Sequence, residues 1–469
     1  MGCLFTGLAL AEICSTYPQA GSVYYWTGQL APRTWAPFMA FMVGWINFMG
    51  NFASSASLAN GCVTILASAV AMKTGSVLSN DIQVALSLFL LAVWCLLNCL
   101  RIDQQGWLTT FAALAQLIGS FALVTATLGT RTPDETATDV FFHYHNGTGI
   151  NSVGYVSCLG LMVSLYCYGG FEAGAHLAEE TRDAGKVVPR GIVSCMLLSF
   201  LTGLFLLLGF LYCTPADQAA LGLGYPSGID LLLDNPCLDS TCGGLAPKGN
   251  IPLNSQSVAR SRVHSMALVN LFWFTAGEDG GFALSVMLAF LVYLSGMASV
   301  TSVNRTLFSM ARDNAFPFSA QLRYVSPVTK SPIGTVLVTF VLEGLLLLLP
   351  LGSTTTFTQI AALASIGFQV SYAIPIFLKL TSGRKVFQPS RFNLGRLSGP
   401  IGWAACLWGV ASSVALFFPQ EAPITTSNMN YAIAIFPAIL LSAVIYWRLA
   451  ARFTFKGPIR ESDVPPTTA

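Results

Sequence analysis

The chain has 469 residues, 54% of them hydrophobic and only 9% charged, where a soluble domain carries roughly 25% charged residues. Folded in water it would expose an extensive apolar surface, so a soluble globule is excluded and an all-α polytopic membrane protein is expected. A net charge of +2 selects no partner by itself, and no nucleic acid partner is expected. Six of the twelve cysteines (Cys62, Cys95, Cys99, Cys158, Cys195 and Cys406) sit inside apolar runs and read as small buried apolar residues. With four histidines and no ligand spacing, neither a metal site nor a cofactor is indicated.

In chain order, the first apolar segment, 2–14, is too short for a crossing, which needs about 20 residues. It lacks the basic start of a signal peptide and reads as a partial span, the tail of a helix. A turn-rich aromatic loop follows, Tyr17-Pro-Gln-Ala-Gly-Ser-Val-Tyr-Tyr-Trp26. Runs of spanning length then lie at 38–71, 82–100, 107–129, 153–177, 191–213, 282–309, 333–349, 357–378, 401–418 and 431–447. They are read as a single transmembrane domain covering 1–469.

The run at 153–177 is unusual. Its end, Cys167-Tyr-Gly-Gly-Phe-Glu-Ala-Gly-Ala-His176, loses side-chain bulk at Gly169, Gly170 and Gly174 and gains Glu172 and His176. Each glycine weakens a helix by about 1 kcal/mol relative to alanine. A charge at bilayer depth costs at least about 2.5–3.5 kcal/mol unless it lines a cavity or finds a partner. Broken helices that expose backbone to substrate near the midplane occur in many secondary transporters.

Basic residues set the orientation. Alternate loops and the tail 448–469 gather 18 of the 23 lysines and arginines on one side, which is therefore cytoplasmic, as is the C-terminus. Lys73, Arg131, Lys248, Arg260 and Arg262 fall outside. The outer side then receives the sequon at Asn146, a candidate glycosylation site, and the long loop 214–281. Cys237 and Cys242 share that loop as a candidate disulfide, although their spacing does not decide pairing. Its apolar stretch 264–276 reads either as a segment lying on the membrane surface or as an insertion without a role in transport.

Several ordered motifs carry a family resemblance. They include Ala11-Glu-Ile-Cys-Ser-Thr-Tyr-Pro-Gln-Ala-Gly-Ser-Val-Tyr-Tyr-Trp26 and Gly170-Phe-Glu-Ala-Gly-Ala-His-Leu-Ala-Glu-Glu-Thr-Arg-Asp-Ala-Gly-Lys-Val-Val-Pro-Arg190. Further ones are Phe308-Ser-Met-Ala-Arg-Asp-Asn-Ala-Phe-Pro317, Phe392-Asn-Leu-Gly-Arg396, Met429-Asn-Tyr431 and Phe455-Lys-Gly-Pro458. On these the chain resembles the amino acid/choline permeases of the amino acid–polyamine–organocation superfamily, especially the fungal-type GABA and amino acid permeases. The resemblance implies a leucine-transporter-like fold, two inverted repeats of five helices plus two C-terminal helices, with substrate held where the first and sixth helices unwind. It also implies that the chain begins midway through the second helix. That leaves either a shortened sequence of a full transporter, the preferred reading, or a protein without half of its site.

The resemblance further implies that Tyr168, Gly169, Gly170 and Phe171 form an unwound, substrate-binding hinge; close helix packing is the plainer reading. Glu172 is read as an attractor for an amine or a carrier of a coupled proton, or else as a helix-end carboxylate satisfied by backbone or a basic residue. Asn47 shares a helix face with Asn51, Ser54 and Ser55, and is a candidate substrate contact or polar glue between helices. Ser295, Ser299 and Ser302 recur at i, i+4 and i+7, bordering the place where some relatives bind sodium, and are candidate ion-coupling residues. The 107–129 helix offers no lysine to replace that ion, so coupling stays open with a proton favoured.

His176, Glu179 and Glu180 are expected to fix the following loop through Arg182, Lys186 and Arg190, and Glu12 to meet a basic loop residue. Glu343, a lone acid within 333–349, is expected to make an interhelical hydrogen bond. The functional expectation is a secondary active transporter of amino acids or related amines, working by alternating access and not an enzyme. The alternative is a non-transporting remnant or nutrient sensor on the same scaffold. Neutral amino acids, GABA, choline and polyamines all remain open, and the plasma membrane is placed ahead of an internal one.

Overall fold

The computed structural model describes residues 1–458 apart from 101, 131–136, 143–147, 149, 215–265, 328, 352–355, 420–423 and 425–428. Asn146, Cys237 and Cys242 therefore lie outside the described residues, as does most of the outer loop. No strand occurs among the described residues. The main helices are α1 (Gly2–Thr16), α2 (Ser22–Leu30), α3 (Ala36–Thr74), α4 (Asn80–Asn98), α5 (Ile102–Thr130) and α6 (Val153–Cys167). After a 3-10 segment, Phe171–Glu180, come α7 (Ala184–Tyr212), α8 (Ala267–Arg312), α9 (Ile333–Leu347), α10 (Thr356–Leu380), α11 (Ser398–Ala415) and α12 (Ala432–Tyr446).

Among the described residues, nine helices are long and apolar enough to cross a membrane. The protein is thus an integral, multi-pass, all-α membrane protein. Large apolar side chains such as Phe89, Leu96, Leu201 and Leu207 face outward, a surface costly in water and stable against acyl chains. The expected run 401–418 is α11, rich in small residues such as Gly399, Gly402, Gly409, Ser412 and Ser413. Its small residues suit packing: it lies against α1 and α10.

The pillar of the fold is α3, 39 residues long, which packs against α8, α10, α2 and α4. Its crossing with α10 is made close by two glycines. A Cβ on Gly367 would stand 2.7 Å from the Gly50 Cα, so only glycine lets the two backbones meet. That contact brings the Asn47 and Ser371 side chains together.

The apolar stretch 264–276, read as part of the outer loop, forms over its described part the first turns of α8. The chain reverses at Gly277, whose φ of 73° and ψ of −167° suit a residue without Cβ. Val269 and Trp273 then fold into a buried cluster with Cys62, Ile65 and Met72 of α3. Burial of these large side chains, together with the tight Trp273–Gly281 approach, holds the segment against α3.

Candidate functional site

The helix α6 ends at Cys167, and the chain turns through Tyr168 and Gly169 to Gly170, whose φ of 77° is left-handed. A side chain there would be strained, and one on Gly169 would press on the Phe368 ring at 2.7 Å. The 3-10 segment that follows carries Phe171 and Glu172 inward. Both are buried, Glu172 completely. Two of the expected site residues, Asn47 and Glu172, are brought into direct contact: the Asn47 Nδ2 donates to Glu172 Oε1 at 3.0 Å. The other carboxylate oxygen accepts from the Tyr372 hydroxyl of α10. Tyr372 also accepts from the Gly170 amide at 3.0 Å, and its ring lies 4.8 Å from that of Phe171.

Among the described residues Glu172 is therefore satisfied neither by backbone nor by a basic residue, but by a phenol and a carboxamide from two other helices. Asn47 is in turn oriented by its own neighbours. Its Nδ2 lies 3.3 Å from Ser371 Oγ, and its Oδ1 accepts from Asn51 Nδ2 at 3.1 Å. Asn51 Oδ1 accepts from Ser302 Oγ at 3.1 Å. Ser302 thus joins this network, while Ser295 reaches α5 instead, accepting from Gln116 Nε2 at 2.5 Å. The three serines are not gathered on one point: two of them serve different neighbouring helices.

The expected partners of the acidic run are replaced. Glu179 pairs with Arg312 at 3.0 Å and Glu180 with Arg305 at 2.8 Å, both from α8, rather than with Arg182, Lys186 or Arg190. His176 spans the same gap, its Nδ1 2.8 Å from the Ala20 carbonyl and its Nε2 3.2 Å from Thr306 Oγ1. The 3-10 segment aims these side chains toward α8, whereas the loop cations beyond Thr181 start the next helix. A cavity of about 280 Å³, lined by His176, Glu179, Glu180, Arg305 and Arg312 among others, lies on this side and not at Glu172. Nearby, the Tyr24 hydroxyl donates to Asp313 at 2.7 Å. Burial raises the Asp313 carboxyl above the ordinary aspartate range, opposed by that hydrogen bond and by the Arg312 charge.

Glu12 meets Lys379 at the end of α10 and also accepts from Ser398 Oγ at 2.7 Å and the Leu394 amide at 3.3 Å. Glu343 is fully buried and accepts from Ser55 Oγ of α3. The residues that sequence reasoning missed are Tyr372, Ser371 and Phe368. The available signal was a pair of aromatics four residues apart, with a serine between them, on a helix whose one charged residue is Lys379 in its last turn.

Against known proteins, the amino acid permease family matches residues 1–235 and 244–440. The amino-acid permease BAT1 of Arabidopsis thaliana is 33% identical, the alignment covering 97% of this chain and 83% of that protein. The GABA-specific permease of Saccharomyces cerevisiae is 27% identical over 97% of this chain and 74% of its own. Among solved structures, a Na+-coupled sialic acid symporter in a substrate-bound, outward-open state covers 90% of this chain and 91% of its own. That likeness stands at 12% identity and a TM-score of 0.32. The helical membrane architecture and the match across most of its length lead to one assignment: the chain belongs to the amino acid permease family.

Proposed function

We propose that the protein is a secondary active transporter that moves amino acids or related amines, GABA among them, by alternating access across the plasma membrane, with its C-terminus cytoplasmic and a proton as the coupled ion. The observation that carries this reading is Glu172: a fully buried carboxyl at a helix break, held by Tyr372 and Asn47 and, among the described residues, paired with no lysine or arginine. A substrate ammonium entering beside Gly170 would displace those two donors and supply the charge the carboxyl lacks. The turn through Tyr168, Gly169 and Gly170 runs past this site, and Phe171 closes it with Tyr372. The yeast relative named as GABA-specific supports the substrate class. Helices α4 and α7, with their outward apolar faces, would seat the protein in the lipid bilayer.

The test is uptake into proteoliposomes containing the full chain, with labelled neutral amino acids, GABA, choline and a polyamine. Saturable uptake of at least one, lost in Glu172→Gln while the protein stays folded, supports the proposal. A folded wild-type protein that moves none of them defeats it.

A further inference from the structure

The second buried carboxyl of the membrane interior, Glu343, is wholly inaccessible at the middle of α9. Ser55 Oγ donates to its Oε1, while its Oε2 has no hydrogen-bond partner among the described residues. The elements packed on α9 bring little charge to it. From α4 the interacting titratable group is the Cys95 thiol, and α3 presents the Ser55 hydroxyl. From α8, Asn304 bonds Thr339, one turn before Glu343, and the helix's cations Arg305 and Arg312 are held by Glu180 and Glu179. An ionised carboxylate with one hydroxyl donor and no cation would be left largely uncompensated, so the enclosed arrangement favours the neutral acid.

Glu343 is also tied to the candidate substrate site. Residues 47, 51 and 55 follow one another at i, i+4 and i+8 on one face of α3. Asn47 holds Glu172, Asn51 holds Asn47, and Ser55 lies 3.3 Å from the Asn51 carbonyl while it holds Glu343. We propose that Glu343 is a proton-binding site of the transport cycle, linked to Glu172 through the Asn47–Asn51–Ser55 ladder. The carboxylate takes one proton from water on one side of the membrane, carries it as the neutral acid in the enclosed arrangement, and returns it to water on the other. This rests on the transport reading above.

The test uses the full chain in proteoliposomes, with labelled GABA and alanine as probes. Two modes are compared: exchange against internal unlabelled probe, which needs no net proton movement, and accumulation driven by an imposed pH gradient. For Glu343→Gln, exchange is expected to stay near the wild-type rate. Gradient-driven accumulation is expected to fall by about tenfold, within the usual range for coupling between two sites. Should the variant lose exchange as well, Ser55→Ala decides. Removing the donor that favours the charged form moves the midpoint of the transport pH profile up by about one unit. Undiminished accumulation in Glu343→Gln, or an unmoved midpoint in Ser55→Ala, overturns the proposal while leaving transport intact. Wild-type exchange without any response to the pH gradient does the same. Absence of wild-type exchange with either probe defeats the transport reading instead, and this proposal with it.

Discussion

Glu12 and the interior acids Glu172 and Glu343 are buried to the same degree, yet the fold treats them in opposite ways. At the end of α10, Glu12 receives a cation, a hydroxyl and a backbone amide, which together compensate a buried negative charge. In the interior, Glu172 receives a phenol and a carboxamide, and Glu343 a single hydroxyl. A buried acid with a complete set of charge-matched partners is built to stay as it is. One held by neutral donors alone can exchange them for a substrate's ammonium or for a proton with a modest free-energy change. The contrast separates an acid that joins helices from acids suited to a cycle.

The largest effect should come from breaking the complete set. Glu12→Ala leaves Lys379 buried without its partner and should destabilise the protein by about 3–5 kcal/mol. Folded yield and thermal unfolding in detergent would read this. The double variant Glu12→Leu with Lys379→Met should recover most of the loss, and failure to do so would mean the pair does more than neutralise itself. Glu172→Gln probes the other class. It keeps the size and shape of the side chain while removing its charge and one acceptor, and uptake should fall by about tenfold or more, the equivalent of about 1.4 kcal/mol in binding. A large loss of stability without a change in transport would erase the distinction between the two kinds of acid.

Gly367→Ala tests whether the interior cluster depends on helix spacing. The added methyl meets the Gly50 backbone, and overpacking of this kind costs about 1–3 kcal/mol. Because Asn47 lies one turn from Gly50, uptake should suffer beyond what the stability loss explains, while exchange of Gly409 for alanine, outside the α3 crossing, should spare it. The smallest effect belongs to Arg312→Ala. Its side chain and that of Glu179 are 41% and 37% exposed, so unfolding should shift by at most about 1 kcal/mol. A loss comparable to that of Glu12→Ala would show that the exposed pair closes this end of the helices more firmly than its solvent contact implies.

Composition and run length alone lead to a polytopic helical membrane protein, because hydrocarbon admits few other ways of satisfying a backbone. The glycine pair 169–170, with Glu172 beside it, stands where the helix stops, since local conformational cost is written in local residue types. Partnerships were another matter. Tyr372 lies 200 residues from Glu172, Lys379 lies 367 from Glu12, and Glu343 lies 288 from Ser55. Helical periodicity tells which face a side chain occupies but not which helix will meet that face, or at what height. Those choices follow from the Gly50–Gly367 crossing, the reversal at Gly277 and the summed packing of many apolar side chains. The same limit explains why Arg305 and Arg312, and not the cations nearest in sequence, hold Glu180 and Glu179. The sequence by itself determined the solvent this protein needs and the place where its sixth helix yields. The tertiary structure alone decided which buried acids receive a cation and which do not, because that depends on how distant helices cross.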